Sequence, residues 1–229
     1  MGGQACVFYG AAEFSRDLDL VILLDEANLD RLRLALLDLV ALPIAVPDLS
    51  PAVLAKGHAV HFRCQLPGLD SLRIDLIASL RGVDPFEDLW NRRTTIDIEG
   101  EAVQLLSLPD LVLAKKTQRD KDWPMIRRLV EQDYYSTPAP TPEQVNFWLA
   151  ELRTPEILLD VVTSFPEPAS RSSRSAIHAA LEQDLRAIED ALEAEQKSER
   201  AADRLYWDPL KKELEELRRL RNHPDSTTS

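Results

Sequence analysis

The sequence predicts an α/β (α+β) fold, a mixed sheet flanked by helices in residues 1–135, followed by an all-helical region, 136–229. Three observations carry this expectation. "LDLVILL" is an apolar run with branched residues in its middle, the pattern of a buried strand. "AVHFRC" and "SLRIDLIASL" add two strand patterns, parted by the turn residues "PGLD". From "SLPDLVLAKKTQ" onward helical spacing dominates, and the proline-rich "STPAPTP" near residue 138 marks the boundary.

The elements follow in order. "QACVFYGAAEF" suits a short helix ahead of the first strand. "ANLDRLRLALLDLVA" spaces Leu29, Leu32, Leu36, Leu39 and Val40 at helical intervals, with Asn28 as its expected N-cap. "LPIAVPDLSP" reads as a connector that stops this helix. "DPFEDLW" reads as a short helix and "TTIDIEGEAVQLLS" as a hairpin turning at Glu99-Gly100. Ser107, with Asp110 three residues later, has the form of a capping box. Beyond the boundary, residues 172–222 are charged and rich in Leu and Ala, with a break expected at Pro209. Leu181, Leu185, Ile188 and Leu192 form one apolar stripe, as a helix hairpin or an interaction arm would need. The tail "HPDSTTS" is expected to fray. Trp123, Trp148 and Trp207 read as packing anchors.

Composition narrows the function classes. The 229 residues carry a formal charge of −12, which argues against a general affinity for polyanions. Charge is segregated, however: residues 115–128 hold six basic and two acidic side chains. That cluster is either an anion site or a solvated helix face. Cys6 and Cys64 suggest neither a disulfide framework nor a zinc site. No secretory signal or membrane-length apolar run is evident, so the expected compartment is the cytoplasm.

The chemistry begins in "RDLDLVILL". Side chains two apart on a strand share a face, so Asp17 and Asp19 point together while Leu18 and Leu20 point the other way. Two adjacent carboxylates repel and are costly to bury without a cation. A hard divalent ion, Mg²⁺ or Mn²⁺, would relieve this and leave positions open to phosphate oxygens and water. Asp75 in "LRIDLIA" is a third acid inside an apolar strand pattern, sharing a face with Arg73. If the strands are neighbours, three carboxylates converge and could hold two metals. The alternative reading is that Asp17 caps a turn and Asp19 pairs with an arginine. Gly2 and Gly3 precede a helix, with 13 residues between Gly3 and Asp17. Glycines there let a backbone approach a phosphate closely.

A glycine pair, a short helix and a strand bearing Asp-x-Asp, with "RIDLI" supplying the third acid, resemble the nucleotidyltransferase superfamily, whose fold is polymerase-beta-like. "LLSLPDLVLAKKTQRDKDWPMIRRLVE" looks like the closing motif of AbiE-type toxin nucleotidyltransferases and their uncharacterised bacterial relatives. The resemblance covers roughly residues 2–132. It implies that Asp17, Asp19 and Asp75 bind metal and that Gly2 and Gly3 cradle the triphosphate. It further implies that Lys115, Lys116, Arg119 and Lys121 contact the nucleotide triphosphate, ATP or another, and that Asp122 orders a helix start. Ser15 and Arg16 could add phosphate donors or serve simple turn chemistry. The expected reaction moves a nucleoside monophosphate from NTP to a hydroxyl on tRNA, on protein or on a small molecule. The C-terminal helices would meet an antitoxin or mediate self-association. A competing reading is a binding or regulatory module of the same fold with little turnover, its helical tail recruiting a protein.

The family places a strand before the glycine pair, whereas here Met1 directly precedes Gly2. The first strand is thus expected to be missing from the fold, or the true start to lie upstream. His58 and His61 read as surface or edge residues facing opposite ways. Arg92 and Arg93 read more readily as salt-bridging than as nucleic-acid contacts. Arg171 to His178 and Arg218 to His223 have a spacing seen in helical ribonucleases, one that arises readily by chance.

Overall fold

The computed structural model describes residues 1–69 and 72–222. It is a mixed α/β protein with two small sheets and a long C-terminal helix. The chain divides into two compact units. The first comprises Met1–Phe8, Ala12–Ala114 and the described residues from Leu205 onward; the second comprises Tyr9–Ala11 and Lys115–Arg204.

In the first unit, α1 (Gly2–Phe8) leads into β1 (Asp17–Val21). This helix starts at the glycine pair and stops before Gly10, whose φ of +73° leaves the helical region, so it is shorter than expected. Next comes α2 (Glu26–Asp38). Its N-cap is Asp25, not Asn28: the Asp25 carboxylate accepts the backbone N–H of Asn28 at 2.7 Å. Asn28 lies three residues inside, and its side-chain amide donates to the Leu23 carbonyl. The expected connector holds a short strand, β2 (Ala41–Pro43), and Ser50, which caps α3 (Pro51–Ala55). Then follow β3 (Val60–Cys64), β4 (Arg73–Ile77), α4 (Phe86–Asn91), β5 (Thr94–Ile98), β6 (Glu101–Leu105) and α5 (Leu108–Ala114). Of the turn "PGLD", Asp70 lies outside the described residues.

The main sheet has the order β1-β4-β3-β2, with β1 parallel to β4 and the other pairs antiparallel. Alternation divides its residues cleanly between two faces. Val60, Phe62, Cys64, Ile74 and Leu76 are buried against Leu29 and Leu36 of α2 and Leu54 of α3, with Leu18 and Leu20 packed onto the same core. Each such side chain contributes roughly 1.5–3 kcal/mol on burial. The opposite face carries the charges. The expected hairpin forms as β5–β6, with Glu99 and Gly100 both at positive φ, the conformation a two-residue turn requires. Both cysteines are buried and neither forms a disulfide. No helix among the described residues is long and apolar enough to cross a membrane.

The second unit is helical: α6 (Asp122–Ser136), α7 (Pro142–Glu151), α8 (Pro155–Ser164), α9 (Pro166–Ser170), α10 (Ser175–Leu181) and the first part of α11 (Leu185–Asn222). Thr141 and Gln144 form a reciprocal capping box at the start of α7. Prolines in the first turns of α7, α8 and α9 start helices without losing a bond. Trp148 is fully buried, its indole N–H donating to Asp133 at 2.7 Å, and Trp123 is buried too; both anchor packing as expected.

Two expectations about the C-terminal region are corrected. Leu181, Leu185, Ile188 and Leu192 do not form one stripe, because Gln183 (φ +57°) breaks the helix between α10 and α11. Ile188 and Leu192 are buried, whereas Leu181 and Leu185 are exposed. Pro209 does not break α11 either. A proline leaves the carbonyl four residues earlier without its helical donor, and Leu205 is 75% exposed, where water can serve instead. His223 and the expected fraying of "HPDSTTS" lie outside the described residues.

Candidate functional site

The charged face of the main sheet is built from two rungs. Strand register sets Asp19 opposite Asp75 and Asp75 opposite His61, so one rung reads His61–Asp75–Asp19 across β3, β4 and β1. The next reads Arg63–Arg73–Asp17. Adjacent strands lie about 4.8 Å apart. The neighbourhood expected for the strands of Asp19 and Asp75 is therefore present, with all three carboxylates on one face.

The cations beside them were less legible. Arg73 Nε donates to Asp75 Oδ1 at 2.7 Å. His61 Nδ1 lies 2.8 Å from the same oxygen. Arg73 Nη2 lies 3.1 Å from the same nitrogen, so Nδ1 donates to Asp75 in one tautomer and accepts from Arg73 in the other. Burial works to raise the Asp75 carboxyl, but these hydrogen bonds outweigh it and hold the group below the ordinary carboxylate range. No hydrogen bond reaches Asp75 Oδ2 among the described residues. Arg63 is exposed and makes no ion pair among them.

The glycine pair lies against this rung. The Gly3 N–H donates to Asp19 Oδ2 at 3.3 Å. Gly2 has φ +72°, and a Cβ built there would stand 1.9 Å from the same oxygen and 2.6 Å from the Asp19 Cβ. Only glycine fits. A Cβ at Gly3 would meet the Ser15 hydroxyl at 2.4 Å. Ser15 Oγ donates to the Asp17 carbonyl and accepts from the Asp17 N–H, the turn role open to it, while Arg16 lies 5.9 Å from the Phe14 ring centre.

The histidine expectation is corrected. His58 precedes β3 and is buried, its Nε2 bonded to Glu213 of α11 at 3.0 Å, while Lys56 pairs with the same carboxylate. Neither histidine is an idle surface residue. Arg92 does form the expected salt bridges, gripping Asp110 through two bonds of 2.7 Å and reaching Asp84. Arg93 lies over Trp90, 4.0 Å from its ring centre. His178 Nε2–H donates to the Ser172 carbonyl at 2.8 Å, and Arg171 pairs with Glu167.

The basic residues singled out from residues 115–128 belong to the second unit. Lys116 is engaged by Glu151 at 2.7 Å and reaches Glu199 at 4.0 Å. Lys115 stands 3.8 Å from Asp122. Asp122 opens α6, is buried, and accepts from Thr117 at 2.5 Å and from Arg119 at 2.7 Å. It thereby ties down the loop before the helix. Lys121 is exposed. Nearby, Arg174 donates to Glu195 and to the carbonyls of Leu149 and Leu152 at 2.7–3.1 Å, and Arg153 joins Glu195 at 2.9 Å.

The donor set on the sheet face suits a hard divalent ion, since it consists of carboxylate oxygens with Asp75 Oδ2 uncommitted. Among the described residues no three acidic, His or Cys side chains stand together closely enough to hold an ion unaided. Mg²⁺ does not require such a cage, because it is commonly held by one or two carboxylates together with substrate phosphates. No protein family, curated protein or solved structure matches the chain.

Proposed function

We propose that the protein is a metal-dependent nucleotidyltransferase of nucleotidyltransferase-type fold. One observation carries this reading: the register that sets Asp19 against Asp75, with Asp17 on the same face. Such a trio is costly on a folded sheet unless a cation is part of its working state. Asp17 and Asp19 would hold Mg²⁺ or Mn²⁺ together with the phosphates of an NTP. The bound ion would supply charge stabilisation to the transferring phosphoryl group. Gly2 and Gly3 leave the space beside Asp19 and Ser15 that a phosphate needs, and the Gly3 amide would serve phosphate in place of carboxylate. Asp75 would take the proton of the acceptor hydroxyl. The hydroxyl oxygen bonds to the α-phosphorus, the bond to the bridging oxygen breaks, and pyrophosphate leaves. The family resemblance assigns triphosphate contacts to Lys115, Lys116, Arg119 and Lys121. Lys116 already has carboxylate partners, so its assignment is the most demanding of the four.

The test is Mg²⁺-dependent transfer of label from a mixture of α-labelled NTPs to tRNA, to protein and to the chain itself. Transfer is expected, with loss in Asp19→Asn and Asp75→Asn. Absence of transfer, with metal and NTP binding unchanged in Asp19→Asn, sinks the reading. The Arg73–Asp75 pair favours a second one: a nucleotide-binding module with little turnover, in which the acids are neutralised in place.

A further inference from the structure

The outer edge of β1 borders a small cavity beside the acidic rungs. β1 stands at one end of the sheet order, so it is paired along one edge only, with β4. Peptide groups alternate between the two edges of a strand. The Ile22 N–H donates to the Ile77 carbonyl at 2.9 Å, which turns Leu20 and Ile22 toward β4 and Val21 toward the outer edge. The Asp19 carbonyl fits this alternation, accepting from the Met1 nitrogen at 2.7 Å. Val21 thus directs one N–H and one C=O outward, two residues and about 7 Å along the strand from Asp19.

The lining of the cavity joins Val21 to Phe86, Leu89 and Trp90 of α4 and to Arg93 and Gln104. The Phe86 and Trp90 rings stack with their centres 5.8 Å apart, and the Arg93 guanidinium lies over Trp90, which is 45% exposed. Gln104 Oε1 accepts from Arg93 Nε at 2.8 Å and from the Thr95 hydroxyl at 2.7 Å. Two donors on one atom fix which end of the amide is oxygen, and Nε2 is left as a donor that no hydrogen bond engages among the described residues. The cavity therefore combines flat aromatic surface with a side-chain donor and an outward-facing strand edge. Its volume is about 100 Å³. A cavity of about 150 Å³ takes a benzene ring, so this space suits a single ring and is too small for two fused ones.

We propose that this cavity takes the base of the bound nucleotide and selects a pyrimidine over a purine. Uracil and cytosine are single rings that share a carbonyl at C2, an acceptor for the Gln104 amide, whereas purines have two fused rings. The proposal rests on the nucleotidyltransferase reading, which sets the phosphates at Asp17 and Asp19; a ribose bridges the step from there to Val21.

The test is equilibrium dialysis of the full chain with Mg²⁺ and, one at a time, the α,β-methylene analogues of UTP, CTP, ATP and GTP, which do not react. Inorganic tripolyphosphate serves as the probe without a base. The pyrimidine analogues are expected to bind about tenfold more tightly than the purine analogues and than tripolyphosphate. Trp90→Ala is expected to weaken the pyrimidine analogues about tenfold and to leave tripolyphosphate unchanged. Purine or tripolyphosphate binding as tight as pyrimidine binding overturns the proposal and leaves the nucleotidyltransferase reading intact. So does a folded Trp90→Ala that weakens neither probe, or both equally. If Trp90→Ala does not fold, irradiation of the wild type with 5-iodouridine triphosphate decides. Label is expected on the peptide carrying Phe86 and Trp90, and its absence from that peptide overturns the proposal. No Mg²⁺-dependent binding of any nucleotide or of tripolyphosphate removes the underlying reading as well.

Discussion

Two clusters of charge, one in each unit, show how differently the same side-chain types behave. In the helical unit, Arg174 and Arg153 converge on Glu195, and Arg174 also satisfies two backbone carbonyls. Two guanidiniums share one carboxylate there, with Glu151 3.6 Å from Arg153, and both arginine side chains are nearly buried. On the sheet of the first unit, Asp17, Asp19 and Asp75 share one face, Arg73 is bonded to Asp75, and no hydrogen bond reaches Asp75 Oδ2 among the described residues. The first cluster is buried in the packing of the helical unit. The second is acid-rich on a sheet face, the arrangement the proposed metal site would use.

The largest effect that would break this contrast is in the helical unit. Arg174→Met leaves Glu195 with much of its partnership lost, at a cost of about 3–5 kcal/mol for a broken buried pair, read as a fall in the urea midpoint. A change no larger than that of a surface substitution would place both clusters in one class. Next is the glycine pair. Gly2→Ala meets Asp19 at its Cβ as well as its carboxylate and adopts a strained φ, so about 1–3 kcal/mol and the nucleotide affinity should both be lost. Gly3→Ala meets only the Ser15 side chain, which can turn aside, and should cost less in both measurements.

A third prediction uses pH. The Tyr134 hydroxyl donates to Asp160 in the helical unit, and this bond, with burial and the negative charge added to it, pushes the phenol up to about 12. A phenol raised in the folded state lends stability that is full below its unfolded value of about 10 and fades as pH rises through 12. Unfolding followed from pH 9 to 12 should show this alkaline loss, and Tyr134→Phe should flatten it. The smallest effect is expected at Asp19→Asn, within about 0.5 kcal/mol of wild type, because Asn keeps the side chain's size and an oxygen able to accept from the Gly3 N–H. A large destabilisation there would recast the sheet face as structural.

How far the sequence could be read depended on whether the signal was local. The two-residue alternation placed Asp17 with Asp19 and Arg73 with Asp75, and the β5–β6 turn was visible in Glu99-Gly100. The roles of His61 and His58 were not visible. His61 acquires its partner through β3–β4 register, and His58 through Glu213, 155 residues away. The same limit applies to Pro209, where α11 continues despite the local breaking rule and Leu205, four residues earlier, is solvent-exposed. Asp25 was missed as a cap because two competent capping residues lie three apart, and only geometry chooses between them.

The parallel pairing of β1 with β4 has a kinetic consequence. Asp19 and Asp75 meet only after 55 intervening residues, with α2, α3 and the β2–β3 pair among them, have been laid down. Non-local parallel pairing is slow because the entropy of closing so long a loop is lost before any contact forms. The rung that joins these aspartates should consequently be among the last features acquired in refolding. A chain emerging from synthesis would acquire the proposed nucleotide site only once that sheet had closed.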